Sequence, residues 1–222
     1  KIGCSVDLDA ESFPFMTVRD AELGGYPVQL FRVSFSGELA FEINIDSGHA
    51  LDMWNTVMDA GAEFDITPYG TETMHVLRAE KGFVIVGQDT DGSVTPVDLG
   101  MNWLMSKDKD YLGKRSLARP DCVRDDRKQL VGLLSSDNST VLPEGTQLIE
   151  DPKAAPPVPM CGHVSSSYGS ACLGHPIALA LVAGGRARKG ETIYAYLPGR
   201  APLPVKIVSP VFYDPKGERQ HV

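Results

Sequence analysis

The stretch RVSFSGELAFEI, residues 32–43, decides how the first half of the chain is read. Val33, Phe35, Leu39, Phe41 and Ile43, continued by Ile45, fall on one parity; Arg32, Ser34, Ser36, Glu38, Glu42 and Asn44 fall on the other. Such alternation marks a half-buried strand, because successive side chains of a strand point to opposite faces. The strand pattern extends over 28–46. Gly37 interrupts it without changing the parity, which predicts a kink, a bulge or a turn pairing two short strands. Glu38 and Glu42 sit on the polar face, where carboxylates either meet water or hold a ligand. A carboxylate accepts two parallel N–H bonds, and a pterin or guanine edge offers that pair, a ring N–H beside an exocyclic amino group.

Downstream, Ser47 is a good helix N-cap, with Leu51, Trp54, Val57 and Met58 at helical spacing as the buried face and Gly61 at the end. A second helix is predicted over 70–81, burying Met74, Leu77 and Val76. Arg78, Glu80 and Lys81 end it; cations there complement the helix dipole or, functionally, form a basic rim for an anionic tail. FVIVG, 83–87, reads as a short buried strand, 87–96 as turns, 98–106 as an apolar stretch followed by a charged turn, and 113–119 as a short helix. RPDCVRDDRK, 119–128, has the composition of a linker. Beyond it come six short apolar runs: QLVGLLS, TQLIE, MCGHVSSS, IALALVA, TIYAYL and PVKIVSPVF. Punctuated by Gly and Pro, they predict a small antiparallel barrel or sandwich. The expected architecture is α+β over 1–120 and all-β over 128–222.

A net charge of −8 over 222 residues argues against nucleic acid or an anionic membrane as the main partner, since both reward clustered Lys and Arg. Cys4, Cys122, Cys161 and Cys172 form no CxxC pair, so the pattern gives no zinc site and suits a reduced, cytoplasmic setting. No run approaches 18 apolar residues, and KIGCSV is no signal peptide; the chain opens on Lys1 and reads as a piece of something longer. Asp89 and Asp91 in GQDTDG lack the further ligands of a calcium loop, and the five histidines show no metal-site spacing. GGRARKG, 184–190, lacks a dinucleotide fingerprint, and no local motif supports a Cys–His nucleophile.

The order of these pieces resembles the aminomethyltransferase family, the glycine-cleavage T protein and its relatives. SFSGELAFEI is similar to that family's Gly-Tyr-Thr-Gly-Glu-x-Gly-x-Glu-Ile strand, LRAEKGF to its Leu-Arg-Leu-Glu-x-Gly helix end, and GQDTDGSVTPVDLGMNWLMSKDKDYLGKRSL to its Asp/Thr-Pro/Trp segment. CGHVSSSYGSACLGHPIALALV resembles the family's barrel. Within the family, the ending PVFYDPKGER and the variant strand are most similar to the folate-binding region of the heterotetrameric sarcosine oxidases. The resemblance implies a mixed, ferredoxin-like first part and a small antiparallel β-barrel. It implies tetrahydrofolate as ligand, with FAD, FMN and NAD elsewhere in the parent complex. The implied partners are the rest of an alpha subunit and the other subunits. Carried over by position, Glu42 is the pterin clamp, Glu38 is structural, and Tyr213 is the aromatic near the carboxy terminus that approaches folate. Met74 holds the place of a family Arg near the ligand. The family's catalytic Asp falls upstream of Lys1, so the chain is expected to be inactive alone. Rival readings are the T protein itself, a dimethylglycine-oxidising relative, a non-enzymatic folate-binding regulator and an RNA-binding domain. The acidic balance and missing aromatic-basic signature disfavour the last.

Overall fold

The alternating stretch does not form one strand. The computed structural model describes residues 1–221 and splits the pattern into β2 (Tyr26–Arg32) and β3 (Glu42–Ile45), antiparallel neighbours joined by an irregular loop over 33–41. Of the alternatives the pattern left open, a turn pairing two short strands is nearest, but the connection is a long loop. The parity switches across it: Val28, Leu30 and Arg32 are the inward residues of β2, whereas Ile43 and Ile45 face inward from β3. Arg32, expected among the polar side chains, is buried and donates to the Leu8 and Phe13 carbonyls with its guanidinium over the Phe41 ring. A further strand, β1 (Thr17–Leu23), pairs with β2 and completes a three-stranded sheet in the order β1-β2-β3.

By packing, the chain forms two compact units, one of Lys1–Leu77 with Asp214–Val222 and one of Arg78–Tyr213. In the first, α1 (Ala50–Gly61) follows a short turn capped by Asp46, whose carboxylate accepts from the Gly48 N–H. The expected cap was the next residue, Ser47. Met53 is buried and Val57 packs beside it against Phe13, Leu23, Val28 and Leu30. Leu51 and Trp54, read as buried, are 70% and 56% exposed. Met53 lies one residue before Trp54, a rotation of about 100°, so the buried line runs through Met53 and Val57 and leaves Leu51 and Trp54 outside it.

α2 (Thr71–Glu80) lies where the second helix was predicted, but Arg78, Glu80 and Lys81 at its end are buried instead of forming a solvated basic rim. FVIVG is not a strand: 83–91 is irregular with a turn at 86–89, and Val86 is 87% exposed. The 98–106 stretch forms a 3-10 turn at Asn102–Leu104 with Trp103 exposed, and Lys114–Ala118 forms the short helix, as a 3-10 turn.

All six apolar runs are strands: β4 (Lys128–Ser135), β5 (Gln147–Ile149), β6 (Met160–Ser170), β7 (His175–Ala183), β8 (Thr192–Ala195) and β9 (Leu203–Val208). They close into an antiparallel barrel in the order β4-β7-β6-β5-β8-β9. Val131, Leu133, Leu148, Val164, Ala178, Ala180, Val182, Ile193, Val205 and Ile207 fill its interior. The alternate residues of β4 and β7, Leu130, Ile177, Leu179 and Leu181, pack outside it against Ala79, Val84, Val94, Leu99 and Phe212. Burial on both faces explains the unbroken apolar run IALALVA. Among the described residues no helix is long and apolar enough to cross a membrane.

Close backbone approach fixes two barrel glycines. A Cβ at Gly162 would sit 2.4 Å from the Leu181 carbonyl, and one at Gly132 would sit 2.3 Å from the Ser209 carbonyl. Gly162→Ala is expected to lower stability by about 1–3 kcal/mol, as overpacking does, and Leu133→Ala by about 2–5 kcal/mol through the cavity it leaves. Urea unfolding monitored by circular dichroism checks both.

Candidate functional site

The sheet of the first unit has one covered face and one open face. On the open face, paired residues form two rows across the strands. Val18, Phe31 and Glu42 make one; Asp20, Gln29 and Asn44 make the next. The polar row lines a hollow of about 480 Å³ together with Pro27, Ile45 and Asp46. Within this row Gln29 Nε2 donates to Asp20 Oδ1 at 3.0 Å. Glu42 is exposed at the end of the apolar row, two residues before Asn44 and outside the lining of the hollow. Its carboxylate makes no hydrogen bond or ion pair to a described residue, so both oxygens are available as acceptors. Glu38, in the 33–41 loop, has a partner: Arg219 Nε donates to its two carboxylate oxygens at 2.8 and 2.6 Å.

Tyr213 belongs to the second unit, half-buried, its backbone N–H donating to the Glu80 carbonyl at 3.0 Å. Met74 is half-buried on α2. In the second unit the end of α2 carries a buried ionic network that the sequence reading does not contain. Arg78 and Asp89 both have 0% exposed side chains and meet at 2.5 Å. Arg78 also donates to the Phe83 carbonyl and to Ser166 Oγ, while Asp89 accepts from the Ile85 N–H, Ser165 Oγ and Ser166 Oγ. The pairing of β6 with β7 shifts register between Val164 and Ser166. That bulge lets two consecutive serines reach one carboxylate oxygen, which strict alternation would forbid. Glu80 accepts from Ser170 Oγ at 2.6 Å.

A second polar knot ties the predicted linker to the turn at 95–98. Asp98 accepts from Thr95 N–H and Oγ1 and from Arg127, whose Nη2 lies 2.6 Å away. Burial pushes the Asp98 carboxyl up, but the Arg127 and Thr95 donors outweigh it and hold it below its ordinary value. Beside this knot is a hollow of about 330 Å³ lined in part by Asp91, Lys128, Cys161 and His163. Burial and the Lys128 ammonium depress the His163 imidazole against the pull of Asp91, and burial raises the Cys161 thiol. A raised thiol pKa removes the thiolate that nucleophilic chemistry needs. Among the described residues no group of His, Cys, Asp and Glu could hold a metal ion.

The GCVT N-terminal domain model matches residues 1–109, and the glycine cleavage T-protein C-terminal barrel domain model matches 128–214. The chain belongs to the glycine-cleavage T-protein family. Within it, the chain is 50% identical over 99% of its length to the sarcosine oxidase subunit alpha of Corynebacterium sp. (strain U-96), and 38% identical over 97% to that of Rhizobium meliloti (strain 1021). It spans only 23% and 22% of those two proteins. It is 26% identical to the aminomethyltransferase of Thermotoga neapolitana, covering 54% of it. The glycine cleavage system aminomethyltransferase T of Bartonella henselae shares the fold, with a TM-score of 0.69 at 21% identity over 90% of this chain and 53% of that one. The expected fold class, α+β with a small antiparallel barrel, is therefore the one observed.

Removing one partner of a buried ion pair leaves an uncompensated charge, so Asp89→Ala is expected to cost about 3–5 kcal/mol, and the double replacement Arg78→Met/Asp89→Leu less than that. Denaturant midpoints of the three proteins check this. The Asp98 carboxyl titrates lower in the folded than in the unfolded chain. Its contribution is therefore fully present above its ordinary value of 3.8 and is lost as pH falls through the depressed folded value. Asp98→Asn should be less stable at neutral pH and show a shallower acid limb in a stability–pH profile.

Proposed function

We propose that this chain is the tetrahydrofolate-binding part of a sarcosine oxidase alpha subunit, where it takes up the one-carbon unit released from sarcosine. Identity of 50% across 99% of the chain to a protein of that name carries the reading. The open sheet face supplies the chemistry. Val18 and Phe31 form an apolar row on which a flat heteroaromatic ring can lie, and Glu42, at the end of that row, presents two free acceptors to the ring's edge. A pterin has the matching pair of donors, and a charge-assisted pair of this kind fixes orientation as well as adding affinity. Tyr213 is assigned the aromatic contact near the carboxy terminus.

Tetrahydrofolate, held at its ring edge by Glu42, would supply two amines able to take the one-carbon unit from the imine as 5,10-methylenetetrahydrofolate, with glycine as the leaving amine. The chain's residues hold the ring, set its edge and bring it near the imine. Positioning of this sort accounts for several kcal/mol of barrier reduction in favourable cases. In this reading the oxidation of sarcosine belongs to FAD and FMN, with NAD, elsewhere in the longer complex. The transfer so proposed requires no metal.

In the full sarcosine oxidase complex, Glu42→Gln is expected to weaken tetrahydrofolate binding about 10- to 100-fold, the equivalent of the roughly 1.5–3 kcal/mol of a hydrogen bond to a charged group. The product ratio should shift from methylenetetrahydrofolate toward free formaldehyde. Calorimetric titration and product analysis read the two effects. Unchanged folate affinity in Glu42→Gln would contradict the assignment.

A further inference from the structure

The 33–41 loop, which leads into Glu42 at the start of β3, is tied at both ends, and one tie comes from the far end of the sequence. On its buried side, Phe41 packs against the Phe13 ring at 5.8 Å and beneath the Arg32 guanidinium at 5.7 Å. Glu42 is the next residue. Within the loop, Gly37 takes a φ of +81° and donates its N–H to Ser34 Oγ at 2.9 Å, turning Glu38 toward Arg219. The carboxy-terminal segment that provides Arg219 is itself built to hold that residue still. Asp214 accepts from the Glu218 and Arg219 N–H groups at 3.1 and 3.2 Å, closing the 3-10 turn Glu218–Gln220. Gln220 is buried, and the His221 ring stands edge-on to Phe15 at 5.4 Å. Met16, next to Phe15, donates its N–H to the Arg32 carbonyl at 2.8 Å, at the other end of the same loop.

The geometry points to a strap: residues 214–221 hold the 33–41 loop through the Arg219–Glu38 clasp and so fix the direction of the Glu42 carboxylate. Arg219 and Glu38 are then positioning residues for folate capture. This rests on the assignment of Glu42 to the pterin edge made above. A half-exposed ion pair contributes little to global stability, so its effect falls on the order of a short loop and leaves the fold intact. The first Glu of the sequence motif thus serves the second without touching the ligand.

The test uses the full sarcosine oxidase complex, with tetrahydrofolate as the probe. Arg219→Ala should raise the folate Kd and KM about three- to fivefold, with the effect on KM and not on kcat. Amide exchange over 33–41 should quicken by a similar factor. The swapped pair Glu38→Arg/Arg219→Glu should return all three readings to within about twofold of the parent. If Arg219→Ala leaves folate affinity unchanged while Glu42→Gln weakens it, the strap is overturned and the folate reading stands. If both variants bind folate normally, both ideas fall. If Arg219→Ala weakens binding and the swap does not recover it, Arg219 meets the ligand directly and the strap is likewise overturned.

Discussion

The Arg78–Asp89 pair organises the second unit. Neither charge has any contact with solvent, so each depends on the other and on the hydroxyl and backbone groups around them. Withdrawing two charges from water is costly, and the attraction between them compensates only where geometry and hydrogen bonding are complete. Here the network draws together the end of α2, the irregular segment 83–91 and the bulged middle of β6. Each of these segments is irregular or polar by itself. Their arrangement follows from the need to satisfy two buried ions.

The barrel was legible in the sequence because its cause is local. Each strand announces itself by a short apolar run between turn formers, and closure follows from having six of them. Much of the first 120 residues is set by contacts between distant positions, which a pattern of neighbours does not reveal. FVIVG has every local mark of a strand, yet Asp89 captures the Ile85 N–H and Arg78 the Phe83 carbonyl, turning the segment into a cradle for the ion pair. β1 escaped notice because TVRDAEL carries few apolar residues, one of which, Val18, faces outward. Arg32 was misplaced because one parity was continued across a loop that resets it.

The candidate site was legible only in part. Glu42 stood out as a carboxylate on an apolar strand, and the structure leaves it exposed on an open face beside a hollow lined by its neighbours. The signals that could have exposed the rest were present but ambiguous. A charged helix end followed by apolar residues, two aspartates in a turn and a run of three serines each has an ordinary solvent-facing explanation. Only their convergence on one buried point distinguishes them. Arg219 and Glu38 are 181 positions apart, and nothing near either residue in the sequence suggests the other.

The two sheets differ in a way that bears on how the chain behaves before it is fully assembled. A closed barrel has no unpaired backbone rim, whereas β1 and β3 are the outer strands of an open sheet. Such rims invite pairing with other chains unless they are short or charged. β3 spans Glu42–Ile45, and β1 carries Arg19, Asp20 and Glu22. The carboxylate proposed for ligand recognition therefore also places a charge at a sheet margin, the kind of residue that disfavours pairing with another chain.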